Sequence, residues 1–280
     1  MSEKNINNTA GFILGILGAL LGLGLNLYYF LEVYKYYIEM QIEMFFPLTN
    51  FQVIEYILPF FVGMAMLAGS MYLVSAYGFL NKRPWAYALA TIGNVIAIQF
   101  SFWPMIPAMD MGLNPVFLWV FFPNVIIFLV LHTLVGKRTG GQIILGLLAG
   151  MAFVCAWING TAALNMSWMF VEGSPQIALS AFDNNSLFIL ANPLHWLVAF
   201  SFGTICVMIF LNPKKEWIRM LGLGMGTIEL VLGIPMAIEA TVRKSEFSMY
   251  AAAPVIVALL MTFFLIPKLW NKVLKLDTEE

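Results

Sequence analysis

Residues 11–31 read GFILGILGALLGLGLNLYYFL, a run of twenty-one positions without one charged side chain. A helix of that length rises about 31 Å, the thickness of a bilayer's hydrocarbon core. One basic residue, Lys4, precedes the run, and no A-x-A site follows it. It therefore reads as a retained helix and not as a cleaved signal peptide. Beyond it, Glu32, Lys35, Glu39 and Glu43 recur at helical spacing up to Pro47, which predicts an external helical extension over 32–46. Glu39 and Glu43, one turn apart, are geometrically able to share a divalent cation. A solvated charged face is the better reading of that stripe.

Similar apolar runs bounded by charge, Pro or Gly lie near 56–80, 85–105, 115–135, 142–165, 187–211, 218–238 and 249–267. None alternates at period two over ten residues, which speaks against a β-barrel. The composition agrees: 61% of the 280 residues are apolar and 10% charged. Soluble domains run at roughly 45–50% and about 25%. Eight crossings consume ~160–170 residues, close to the apolar total. A soluble enzyme and a disordered chain are excluded. With a net charge of −1 there is no basic face to hold phosphates, so nucleic acid is excluded as a partner. The expected fold class is all-α, a polytopic membrane protein of about eight transmembrane helices, forming a single membrane domain over 1–280.

Charge orients the bundle. Lys4, Lys82, Arg83, Lys137, Arg138, Lys214, Lys215, Arg219, Lys268, Lys272 and Lys275 fall on one side, eleven of the fourteen basic residues. Lys35, Arg243 and Lys244 fall opposite, with most of the acids, among them Glu55, Asp110, Glu172, Asp183, Glu239 and Glu246. Cytoplasmic loops carry such an excess, so both termini are expected inside a cell membrane. Asn114-Pro115 and Asn192-Pro193 are each followed by Trp within about a turn, and the inner turns resemble one another, which admits an ancestral repeat of hairpins. The better reading is local: Asn caps a helix, Pro suits its first position, and Trp prefers the interface. Asn184-Asn185-Ser186 is an outside sequon that matters only in a eukaryotic host.

Small-xxx-small pairs at Gly11/Gly15, Gly18/Gly22, Gly146/Gly150 and Gly222/Gly226 are helix-packing notches, chiefly inside one bundle. They also admit a homodimer or a complex partner through the same faces. Polar residues inside the runs are costlier and tell more. Glu229 sits eleven residues into the seventh run, near the bilayer centre, where a carboxylate must be protonated, paired or wetted. Asn94 and Asn124 lie at similar depth, and Asn26, Gln99, Asn159, Asn192 and His195 lie in the outer halves. This pattern predicts a polar pocket with Glu229 at its floor and a substrate or proton pathway along Glu229, His195, Asn94, Asn124, Gln99 and Asn159. The competing reading is an interhelical hydrogen-bond clamp.

His132 and His195 are the two histidines. At 1.5 Å per residue His195 lies about 6 Å outside the centre of its run and His132 about 10 Å inside its own, an offset of ~16 Å that defeats one haem ligated by both. His132 is expected at the interface beside Gly136-Lys137-Arg138, with an alanine variant close to silent. His195 lies only ~4–5 Å from Glu229 in depth, so the two meet if their helices touch. Cys155 and Cys206 differ by roughly 13 Å in depth, too far for a disulfide. No zinc or iron–sulfur spacing, catalytic triad, P-loop or dinucleotide fingerprint appears, and no metal ligands are assigned.

Asn165-x-x-Trp168-Met169, Asn192-Pro193-x-His195 and Arg219 resemble in part the large subunit of cytochrome bd oxidases. The resemblance covers under a third of the chain and implies a haem ligand at His195. That family's other haem histidine, methionine ligand, paired membrane glutamates and quinol loop have no counterparts here. The depth arithmetic disfavours haem, and no cofactor is assigned. The expected function is a transporter or channel-like protein with a polar midplane site, taking a small molecule or an ion. The alternatives are a cofactor-bearing redox or anchor subunit of a larger complex, a structural membrane protein, and, less well supported, a lipid-acting enzyme.

The charge pattern is tested by reporter fusions. One after Glu280 and one in the Lys82-Arg83-Pro84 turn are expected in the cytoplasm, and one near Asp183 outside. Ends on opposite sides would remove the even-span arrangement.

Overall fold

A computed structural model describes residues 6–45, 51–110, 112–171, 185–244 and 249–276. Pro47, Glu172, Asp183, Asn184 and Glu246 lie outside the described residues, as do the side chains of Glu43, Glu55, Asp110, Asn165, Trp168, Met169, Glu239, Arg243 and Lys244. Every element among the described residues is helical. Six helices are long and apolar enough to cross a membrane: Asn8–Met40, Ile57–Leu80, Leu118–Val135, Gly140–Thr161, Leu190–Leu211 and Glu216–Ile238. A bent pair, Ala252–Leu265 with Pro267–Leu274, makes a seventh if taken as one span. The remaining expected span is Ala86–Phe102, whose seventeen residues rise about 26 Å. The protein thus has the helices of a multi-pass membrane protein.

The chain forms two compact units, Met1–Ile143 and Ile144–Glu280. In the first, α1 (Asn8–Ala19) passes through a π-helical turn, Leu20–Leu25, into α2 (Asn26–Phe45). The predicted extension is therefore helical to Phe45, with Val33 and Tyr37 buried along one face and the Tyr37 hydroxyl 3.3 Å from the Asn114 carbonyl. On the other face Lys35 pairs with Glu39 at 3.5 Å, both well exposed. α3 (Phe51–Leu80), α4 (Ala86–Phe102), the short α5 (Met105–Asp110) and α6 (Leu118–Val130) complete the unit.

The α1–α3 seam is where glycine is required. A Cβ on Gly15 would stand 2.8 Å from the Ala76 Cβ, and one on Gly22 would stand 2.7 Å from the Ala65 carbonyl oxygen and the Gly69 Cα. Bare Cα atoms let the two backbones approach where lipid offers no drive to associate. α3 ends in a Schellman turn: Arg83 N–H reaches the Gly78 carbonyl at 2.8 Å and Lys82 N–H the Phe79 carbonyl at 3.1 Å. Lys82 takes the left-handed conformation there, with φ 51°.

The second unit holds most of α7 (Gly140–Val171), then α8 (Asn185–Leu211), α9 (Glu216–Lys244), a 3-10 turn at Met249–Ala251, α10 (Ala252–Leu265) and α11 (Pro267–Leu274). Thr139 and Gln142 open α7 as a reciprocal capping box, the Gln142 Oε1 accepting from Thr139 N–H at 3.1 Å and the Thr139 Oγ1 from Gln142 N–H at 3.2 Å. Gly146 and Gly222 are notches for Phe210 and Phe264 of the same unit. The expected span over 249–267 contains α10 and ends at the break that follows it. Pro267 has no N–H to continue α10, and the chain turns by 96° into α11.

Asn192-Pro193 departs from its predicted place. Both lie inside α8 and not at its start, so Asn192 is no cap. Asn114-Pro115 precedes α6, in the turns that lead to Leu118.

Gly22→Ala is expected to cost about 1–3 kcal/mol, because the added methyl meets main chain that has no rotamer to yield. Gly24, two residues on, has nothing within 4 Å of its Cβ position. Gly24→Ala is expected to be neutral or to stabilise by up to about 1 kcal/mol. Thermal unfolding of the two variants in one detergent separates these outcomes.

Candidate functional site

Three helices of the second unit each deliver one polar side chain to a common point: Asn159 from α7, His195 from α8 and Glu229 from α9. All are buried, His195 and Glu229 completely. His195 Nδ1 lies 2.8 Å from Glu229 Oε2. Asn159 Nδ2 donates to Glu229 Oε1 at 3.2 Å and to the Tyr250 carbonyl at 3.3 Å, which ties the turn before α10 to the same centre.

Local packing sets this register. One turn before His195, Asn192 Nδ2 donates to the Gly160 carbonyl at 2.7 Å. The missing side chain at Gly160 makes room for Trp196, whose Nε1 is 2.7 Å from the position a Cβ would take. Trp157 stacks on Trp196, with centroids 5.5 Å apart and planes at 22°. On α9, Gly233 lies one turn beyond Glu229. A Cβ there would stand 2.7 Å from Glu229 Oε1 and 3.4 Å from Pro254 Cδ. The carboxyl therefore rests over a bare Cα, beside the first turn of α10. Gly160, Gly233 and Tyr250 were not singled out from the sequence, and the Trp after Asn192-Pro193, Trp196, was read there as an interfacial residue. The Glu229-x-x-x-Gly233 spacing, which puts both residues on one helix face, was the signal available.

A 2.8 Å approach of imidazole nitrogen to carboxylate oxygen requires a proton between them. Among the described residues His195 Nε2 meets no hydrogen-bond partner. The site can thus pass a proton along Nδ1–Oε2, with Nε2 on the far side of the ring. Among the described residues no three His, Cys, Asp or Glu side chains are grouped to hold a metal ion.

The other expected site residues belong to the first unit. Asn94 Nδ2 donates to the Tyr72 hydroxyl at 2.5 Å and to the Asn124 carbonyl at 2.9 Å, while Asn124 Nδ2 donates to the Val120 carbonyl at 2.9 Å. Gln99 is buried in α4 and its Oε1 accepts no hydrogen bond from the described residues. Asn26 Nδ2 donates to the Val62 carbonyl at 3.3 Å. These amides chiefly bond main-chain carbonyls, as helix clamps do.

His132 corrects an expectation. It is completely buried, its Nδ1 2.8 Å from the Tyr87 hydroxyl. That hydroxyl accepts from Arg138 Nε at 3.2 Å, and the guanidinium also lies 5.1 Å from the Tyr87 ring centroid. Phe128 meets the imidazole edge-on at 4.5 Å. The π-helical turn Leu131–Val135 that follows α6 turns this face inward, so the position is a buried polar junction and not a surface one. Cys155 and Cys206 are free thiols, and Cys206 donates to the Gly146 carbonyl at 3.2 Å. Arg219, part of the partial resemblance, donates Nε and Nη2 to the Phe264 carbonyl at 3.2 and 2.8 Å, an acceptor exposed by the break before Pro267.

His132→Ala is accordingly expected to cost roughly 2–4 kcal/mol, from a cavity and a buried tyrosine hydroxyl left without its acceptor. Chemical or thermal unfolding measures it, and an unchanged midpoint would restore the exposed reading. Comparison of the chain with protein-family models, with curated proteins and with solved structures gave no match.

Proposed function

We propose that the chain is a membrane transport protein in which the Glu229–His195 pair is the protonatable centre of a substrate or ion pathway. The observation that carries this reading is the fully buried 2.8 Å contact between the two acid–base side chains. A hydrophobic pair of similar volume is commonly as stable as a buried ionic one or more so, and an intramembrane acid is expensive to place. Stability alone gives no reason for Glu at 229. Proton movement does: a proton passing from Oε2 to Nδ1 turns an acid–imidazole pair into a carboxylate–imidazolium pair without changing the net charge. Asn159 holds the carboxyl in either form, because its Nδ2 donates to a carboxylate oxygen or to a carbonyl oxygen of the acid. Asn159 is itself anchored on the Tyr250 carbonyl, and the cell membrane is the expected location.

One observation favours a second reading. A histidine whose Nδ1 is fixed by a carboxylate and whose Nε2 meets no partner among the described residues is oriented as metal- or haem-ligating histidines are. Under that reading the chain is a cofactor-bearing subunit, and the purified protein shows a Soret band.

The transport reading is tested on the full chain in liposomes with a trapped pH dye, under an imposed pH gradient. Amino acids, organic acids, sugars and nucleosides are added in turn. At least one class is expected to move protons with the parent protein, and none with Glu229→Gln, which keeps the hydrogen bonds and the fold. His195→Ala is expected to lose the same flux. Glu229→Leu is expected to lose flux as well, and to cost roughly 1–3 kcal/mol of stability because the buried His195 Nδ1 loses its partner. Normal flux with Gln at 229, or a folded parent without flux in every class, ends the proposal.

A further inference from the structure

The end of the second unit that carries α11 has features the Glu229 site does not use. The 96° bend at Ile266–Pro267 lays α11 across the axis of α10. Trp270 and Leu274 are buried on one side of this short helix, with the Trp270 ring 5.5 Å from Phe264. Lys268 and Lys272, one turn apart, are exposed on the other, and Lys275 closes the helix in the left-handed conformation. The start of α9 meets the same elbow through the Arg219–Phe264 hydrogen bonds and the Gly222 notch filled by Phe264. Lys214 and Lys215, immediately before α9, are therefore at this end too, and both are exposed. Trp217 (44%), Leu265 (61%) and Ile266 (51%) stand out beside them as exposed apolar side chains.

We infer that α11 and the 212–215 turn form a binding surface for the headgroups of anionic phospholipids. The geometry is that of a helix lying in a membrane interface: one face on protein, a lysine row outward, and apolar side chains at the adjoining level. Trp217 and the exposed Leu265–Ile266 step mark the depth at which acyl chains begin, which places the lysine ammonium groups at phosphate height. Charge complementarity selects the lipid. Against five lysines, Glu216 is the single acidic residue among the described residues of this surface. Asp277, Glu279 and Glu280 follow in the sequence outside the described residues, and the test leaves them in place. Each lysine held near an anionic headgroup layer multiplies affinity by about five-fold, an effect that salt screens.

The full chain is purified and exchanged into mixed phosphatidylglycerol and phosphatidylcholine, and the lipid retained is counted by native mass spectrometry. Preferential retention of phosphatidylglycerol that falls as salt rises is expected. Lys215→Gln/Lys268→Gln/Lys272→Gln together are expected to lower its apparent affinity at low salt by roughly a hundred-fold. Arginine at the same three positions is expected to keep it. Equal retention of the two lipids, salt-independent retention, or an unchanged preference in the glutamine variant overturns the inference. If millimolar inorganic phosphate displaces phosphatidylglycerol from the parent, the surface is a free-phosphate site and the lipid assignment fails. Should the glutamine variant not purify, the salt titration and the arginine variant decide between the same outcomes.

Discussion

In an apolar interior, a main-chain carbonyl that loses its helical partner must find a donor or remain unsatisfied at a cost of several kcal/mol. Arg219 answers this constraint at the Phe264 carbonyl, where Pro267 ends α10. Other amides brace one helix against the next, Asn192 on the Gly160 carbonyl, Asn94 on that of Asn124 and Asn26 on that of Val62. Asn124 adds a second donor at Val120, within the turn that Pro123 disturbs. Hydroxyls do likewise one turn back along their own helices, as Thr91 does with Tyr87 and Ser101 with Ala97. Polar residues that mend or brace the backbone need no further explanation.

Against that background Glu229 and His195 differ in kind. Neither is seen bonding a carbonyl. They bond each other, and Asn159 spans the acid and the Tyr250 carbonyl. The pair is also seated by absences of side chain, at Gly233 beneath the carboxyl and at Gly160 beneath the tryptophan that follows His195. A carboxyl packed against a bare Cα on one side and a single amide on the other has little room to change position. Under the transport proposal the proton is then the mobile element.

The same principle of close approach separates the two kinds of glycine. Gly15, Gly22, Gly146 and Gly222 each face a neighbour of their own unit at a distance no side chain tolerates, whereas Gly24, Gly63 and Gly224 face nothing within 4 Å. Small-xxx-small spacing points to such positions because residues i and i+4 share a helix face, yet Gly150, the partner of Gly146, meets only the Cys206 Sγ at 3.7 Å. It does not say which neighbour fills the notch: Ala76 does so at Gly15 and a phenylalanine ring at Gly146.

What was legible in the amino-acid order follows from properties that each segment holds alone. Apolar runs of bilayer length specify helices, since no other backbone satisfies its own polar groups without water, and the all-helical structure follows. Rise per residue was enough to put His195 and Glu229 at one depth and to keep Cys155 from Cys206. Three matters were left to the tertiary structure, because each depends on which faces meet. The first is that Asn159 joins the Glu229 pair while Asn94 and Asn124 form a separate cluster with Tyr72. The second is that His132 is buried against Tyr87, which depth along a helix cannot reveal because depth is silent about direction around it. The third is the bend at Ile266–Pro267, where proline marks a break but the angle is fixed by the packing of Trp270 and Phe264 and by the Arg219 guanidinium on the freed carbonyl.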